Sequence, residues 1–239
     1  MQINENGLVE QTHTRKTEFL FTQAKPSVFG NAFTAGLVGV VYWQKLNFEL
    51  LMAWLFAVSI VLLLRWKLAV HFEQRNRYSS TTDWYRAYNR NVLCNGIVWG
   101  AMFLYTCIEL NTQSLTGFVA ILGALVASSN IAYNSHLKTY LTFVIPALLP
   151  ALLYLVLFGY SDKLVLTAIA SSWFVLMYSF AKQLNEHVGL TSGYEAENVE
   201  LLRELESLHG ISMRLQEEIA LKSKIIDLLT TDSQRTAFH

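Results

Sequence analysis

Tyr140–Phe158 reads YLTFVIPALLPALLYLVLF, nineteen residues without a single charged side chain. A bilayer core of about 30 Å is crossed by roughly 20 helical residues at 1.5 Å each, so this stretch has the length and polarity of a membrane span. Pro146 and Pro150 stand one helical turn apart within it. Each removes an intrahelical hydrogen bond and crowds the preceding turn, which predicts either a movable hinge or a fixed bend.

Working outward, five further apolar stretches appear: Val28–Trp43, opened by Pro26 in what would be its first turn; Phe48–Leu64, closed by Arg65, Trp66 and Lys67; about Val92–Ile108; Leu115 to about Tyr133, softened by Ser128, Ser129 and Asn130; and Leu164–Phe180. The expected fold is therefore an all-α membrane protein, a six-helix transmembrane bundle followed by a cytoplasmic coiled-coil helix. Four or five spans result if the first or fourth stretch lies in the interface instead. The composition agrees: 53% of the 239 residues are hydrophobic and 15% charged, where a soluble domain carries about 25% charged residues. With 18 Lys+Arg against 18 Asp+Glu there is no net charge, which excludes a general basic surface for nucleic acid. Residues 1–24 lack the apolar core and cleavage site of a signal peptide, so the first span is expected to be retained.

Basic residues set the expected orientation. Arg15, Lys16, Lys25, Arg65, Lys67, Arg75, Arg77, Arg86, Arg90, Lys138 and Lys182 fall on one side of a six-span arrangement, and only Lys45 and Lys163 on the other. Both termini are then cytoplasmic, in the inner membrane of a bacterium. The opposite connections, at 44–47, 109–114 and around Ser161, are too short to fold as a ligand-binding domain, so any stimulus must reach the helices from the bilayer or from a partner. Trp84–Arg90 reads as an anchor at the head-group boundary, where Trp, Tyr and Arg are favoured.

After Phe180 the composition changes. From Gln183 onward acidic residues alternate with Leu and Ile, and Leu201, Leu205, Leu208, Ser212, Leu215, Ile219, Lys222, Ile226 and Leu229 follow the 4-3-4-3 spacing of a heptad seam. Asn198 precedes it at a seam position, where a polar residue fixes register. The pattern predicts a parallel dimeric coiled coil; a single amphipathic helix lying on the bundle or the membrane would use the same spacing. Gly210 costs about 1 kcal/mol of helix propensity and Lys222 weakens one layer, as a coil with two packings of similar energy would tolerate.

Chemical motifs are scarce. There is no phosphate-binding loop, nucleophile elbow, HExxH or GxGxxG, and none of the six histidines pairs with another at helical spacing. No cofactor, metal or catalytic residue is expected, and Cys94 and Cys107 read as packing residues. The candidates for ligand binding or sensing are Asn130 and His136, in the most polar end of any span, together with Pro146 and Pro150. Asn134, Ser135 and Lys138 extend that polar end, where an interfacial cap would place the same residue types. Glu109 reads as a solvated helix end. No ionisable side chain falls near the middle of any span, which counts against an ion-coupled transporter. Gly96-xxx-Gly100 and Gly123-xxx-Ala127 permit close helix approach.

The last residues read Asp227-Leu-Leu-Thr-Thr-Asp-Ser-Gln-Arg-Thr-Ala-Phe238. They resemble the D-x-L-T-G-L-x-N-R-R-x-F segment with which diguanylate cyclase (GGDEF) domains begin after a signalling helix, matching it at Asp227, Leu229, Thr230, Arg235 and Phe238. The GGDEF loop itself is absent, as is the phosphoacceptor box of histidine kinases, since His209 is followed by Gly210 and Ile211. The resemblance is to the membrane input region of diguanylate cyclases or hybrid sensor histidine kinases, without the catalytic domain. It implies four parts: a cytoplasmic N-terminal segment (1–25), a six-span sensor bundle (26–182), a signalling helix (183–230), and the remnant or start of an output domain (231–239). The expected function is a sensory, signal-transducing module that is not itself an enzyme, with the lipid bilayer, a second copy of the chain and a cytoplasmic output as partners and no nucleic acid. The alternatives are a small transporter or channel, and a membrane-embedded enzyme acting on lipid.

Overall fold

The computed structural model describes residues 5–74, 81–133, 135–158 and 161–236. All of their regular structure is α-helix: α1 Glu5–Thr22, α2 Ala24–Tyr42, α3 Phe48–Glu73, α4 Thr81–Glu109, α5 Thr112–Tyr133, α6 Leu137–Phe158 and α7 Ser161–Thr236. Among them α3, α4, α5, α6 and Lys163–Val188 of α7 are long and apolar enough to cross a membrane. These five helices give the chain the character of a multi-pass α-helical membrane protein. The first expected span, α2, is not among the five. It carries Lys25, Ser27, Asn31 and Thr34 along its length, yet it buries Ala35, Val38 and Tyr42 and packs against α3 and α5.

The chain divides into two units, residues 1–192 and 193–239. In the first, α4 lies at the centre and is the most buried of the five apolar helices, and the membrane segment of α7 lies at the periphery and is the least buried. The helices outgrow the expected apolar stretches because their polar extensions pack on one another. Phe21 of α1 stacks on Phe72 of α3 at 3.7 Å between centroids, and Trp84 and Tyr88 of α4 meet Phe21 edge-on at 6.3 and 5.0 Å. The expected head-group anchor therefore faces partly inward, with Tyr88 fully buried. The N-terminal segment, read from sequence only as a flank, contains a helix that closes this end of the bundle through Leu20 and Phe21.

Contacts between helix ends show which termini lie together. Lys25 at the start of α2 pairs with Glu73 at the end of α3 at 2.7 Å, and the ring of Tyr85 near the start of α4 lies 4.7 Å from that of His136 in the α5–α6 turn. At the opposite end Lys45 reaches Ser114 at 3.2 Å, and Lys163 donates to the carbonyl of Cys107 at 2.9 Å. Lys45 and Lys163, set apart from the other basic residues by the sequence, thus share one end. Cys107 is buried as a packing residue would be, whereas Cys94 is exposed.

Asn47 starts α3: its side-chain oxygen accepts from the backbone N–H groups of Glu49 and Leu50 at 2.9 and 3.2 Å, satisfying donors that a helix start leaves without partners. Asn47→Ala is expected to lower stability by about 1 kcal/mol and Asn47→Asp to retain most of it, read as melting temperatures in detergent micelles.

The second unit is the remainder of α7. Its described seam residues Leu201, Leu205, Leu208, Leu215 and Ile219 are all exposed, at 50 to 66%. The side chains of Ile226 and Leu229 lie outside the described residues, as do Asn134 and Phe238.

Candidate functional site

Arg65 corrects the sequence reading. Placed there as a basic flank of the second span, it is fully buried, because α3 continues for two further turns to Glu73 and α4 lies across its face. At eight residues from Glu73 it sits about 12 Å inside that helix end. Its Nε donates to Asn91 Oδ1 at 2.9 Å and its Nη1 to the hydroxyl of Tyr133 at 2.8 Å. The rings of Tyr88 and Tyr133 lie 5.9 and 5.8 Å from the guanidinium carbon, within cation–π range. Asn91 is held in turn by donating to the carbonyl of Val61 at 2.9 Å. Nη2 is buried and finds no partner, and among the described residues no carboxylate pairs with Arg65. A cation taken from sequence as the flank closing the second span is therefore inside the bundle.

Polar residues extend from this centre. Asn95, one turn below Asn91, donates to Asn31 Oδ1 at 3.1 Å, and Asn31 donates to the carbonyl of Ser27 at 3.2 Å. Between α2 and α5 a cavity of about 210 Å³ is lined by Ser27, Gly30, Asn31, Ser128, Ser129 and Tyr133, among others. Tyr133 belongs to both features: it lines the cavity and receives the hydrogen bond from Arg65. The sequence signal for this region was Asn31 and Asn95, each an amide within an otherwise apolar stretch, where an unmatched polar group is costly.

The residues singled out from sequence have separate roles. Asn130 is buried and reaches α7, its Nδ2 lying 3.4 Å from the carbonyl and 3.5 Å from the sulfur of Met177. His136 is half-buried and begins α6, where its carbonyl accepts from Thr139 and Tyr140. Pro146 is clamped between α6 and α4: a Cβ on Gly96 would lie 2.7 Å from Pro146 Cγ and 2.5 Å from the Phe143 carbonyl oxygen, and one on Gly100 would collide with the Pro146 carbonyl. That carbonyl lacks its usual helical donor, because Pro150 has no N–H, and it rests instead against the bare Cα of Gly100, as a Cα–H···O contact requires. Pro146 is thus packed tightly on α4, whereas Pro150 is exposed.

Gly123-xxx-Ala127 does not mediate the close approach its spacing permits. It lines a second cavity, of about 450 Å³, closed by Leu148 and Leu152 of α6 and by Leu166, Ala170 and Trp173 of α7. The Trp173 ring comes only to 3.9 Å from a Cβ built on Gly123. Almost entirely apolar and flanked by the least buried span, it has the size of a small-molecule pocket. No protein-family model, curated protein or solved structure matches this chain.

Proposed function

We propose that the chain is a bacterial inner-membrane sensory module that passes a membrane-derived stimulus to a cytoplasmic output through a dimeric helical linker. The observation that carries this reading is α7. It is helical from Ser161 to Thr236, begins with a segment fit to span a membrane, and continues as a charged helix whose heptad Leu and Ile side chains are exposed. Burying that seam against a second copy removes apolar surface from water at about 25 cal/mol per Å². In this reading α2 is a sixth span and both termini are cytoplasmic, on the side of the basic residues other than Lys45 and Lys163. The resemblance of residues 227–238 to the start of a GGDEF domain supports a cyclase-type or kinase-type output.

The moving part is α7, the span with the smallest buried share, which bears on α5 at Asn130 and on the apolar cavity at Trp173. A molecule partitioned into the bilayer that fills this cavity displaces α7 and changes how the seam pairs. Single cysteines placed from residue 198 to 229 are expected to crosslink strongly at 201, 205, 208, 215 and 219 and weakly between them, in membranes. Uniform crosslinking, or none at the seam, removes the dimeric transmitter.

A second reading, a small transporter or channel, is favoured by Arg65, because buried cations in membrane bundles mark substrate paths. Its test is solute flux in proteoliposomes that Arg65→Gln abolishes.

A further inference from the structure

We infer that Arg65, with Asn91 and Tyr133, forms a binding site for a compact oxyanion, a carboxylate or phosphate monoester, entering by the cavity between α2 and α5. The inference concerns binding alone and stands whether or not the chain signals.

The argument begins with cost. Moving a guanidinium out of water carries a large desolvation penalty, which a bundle recovers with a counter-charge or a full set of acceptors. Arg65 has neither. An arginine carries five N–H donors, and two of them, on Nε and Nη1, are engaged by neutral oxygens. Nη2 is buried without an acceptor, and no carboxylate among the described residues supplies the missing charge. The two aromatic faces attract the cation through its π face and leave its remaining in-plane donors without an acceptor. What the site lacks is an in-plane anionic acceptor, and the guanidinium fork matches the two oxygens of a carboxylate or phosphate.

The surroundings select the size and the route. The cavity of about 210 Å³ is too small for a whole lipid or a drug-sized molecule but large enough for one head group. Its wall carries Ser27, Asn31, Ser128 and Ser129, neutral groups that do not repel an oxyanion; their side chains donate to backbone carbonyls of their own helices, and the serine hydroxyls must rotate to meet the ligand, while Tyr133 joins the wall to Arg65. Gly30 on the same wall has nothing within 4 Å of a built Cβ, so the cavity is open beside α2. Gln23 and the apolar Pro26, Ile131 and Ala132 complete it, the last three a rim suited to an anion borne on an alkyl chain.

The experiment titrates the full chain in neutral maltoside micelles with dodecyl phosphate and, separately, with inorganic phosphate, reading the melting temperature. A saturable rise of several degrees with dodecyl phosphate alone supports the site and places its anion in the membrane; an equal rise with inorganic phosphate supports the site and places its anion in water. Arg65→Gln is expected to weaken the apparent affinity at least tenfold. Should that variant not fold, Gly30→Leu combined with Ser128→Leu, which fills the cavity wall and leaves the arginine network intact, is expected to abolish the response. No rise in the parent chain, or an equal response in all folded variants, overturns the inference and leaves Arg65 a hydrated structural cation.

Discussion

Gly100→Leu is expected to yield no folded bundle, whereas Gly36→Ala, a glycine replacement in α2, is expected to be neutral or mildly stabilising. The two positions differ in what a side chain would meet. At Gly100 the first carbon already coincides with the Pro146 carbonyl, a backbone group in a helix that cannot yield without unseating α6. At Gly36 nothing lies within 4 Å, so a methyl group only reduces the freedom of the unfolded chain, worth up to about 1 kcal/mol. Overpacking by a methylene or two costs about 1 to 3 kcal/mol where side chains can give way. A leucine driven against backbone exceeds that range, and the α4–α6 interface is the most extensive in the bundle. Gly100→Ala is expected to be intermediate, losing several degrees of melting temperature. Size-exclusion profiles in detergent after graded heating check all three, and a stable Gly100→Leu would mean that α4 and α6 do not meet as described.

Arg65→Ala is expected to lower stability by about 3 kcal/mol, from a cavity and from the orphaned Asn91 Oδ1 and Tyr133 hydroxyl. Arg65→Met restores most of the volume and removes the buried charge, so at least half of that loss should return. Arg65→Lys keeps the charge, but a single ammonium cannot reach Asn91 and Tyr133 in the geometry of the planar fork, and it should resemble Ala more than Met. Reversible denaturation in mixed micelles measures the order Met above Lys and Ala. Equal losses for Ala and Met would instead assign the whole effect to the hydrogen bonds.

The apolar helices were legible because charge-free length is a local property: Tyr140–Phe158 and α6, Leu137–Phe158, end on the same residue. Arg65 was not legible, since a basic residue after an apolar run, followed by Trp66 and Lys67, has the composition of an ordinary span end. Its burial depends on α3 continuing and on Tyr88, Asn91 and Tyr133 arriving from two other helices, which no window on α3 contains. The small-residue patterns show the same limit. Gly96-xxx-Gly100 and Gly123-xxx-Ala127 look equivalent in sequence, yet one receives Pro146 and the other faces a cavity, because small residues allow a close neighbour without supplying one. Asn130 was visible as a polar group in an apolar run; its acceptor on Met177, 47 residues away, was not. The heptad spacing correctly placed Leu and Ile on a helix, where the described seam side chains are exposed.

The tie between Lys163 and the Cys107 carbonyl lies at the first turn of α7, while along the rest of its membrane segment the described residues bury only Leu166, Thr167 and Ala181. A rod fixed at one end and loosely seated along its shaft behaves as a lever. Over Lys163–Val188, roughly 38 Å of helix, a tilt of about 5° swings the far end by about 3 Å, more than half a helical turn. In the proposed sensory reading, a small occupant near the shaft is thereby enlarged into travel at the tip, and loosening the pivot by Lys163→Met would let the same push dissipate as sliding.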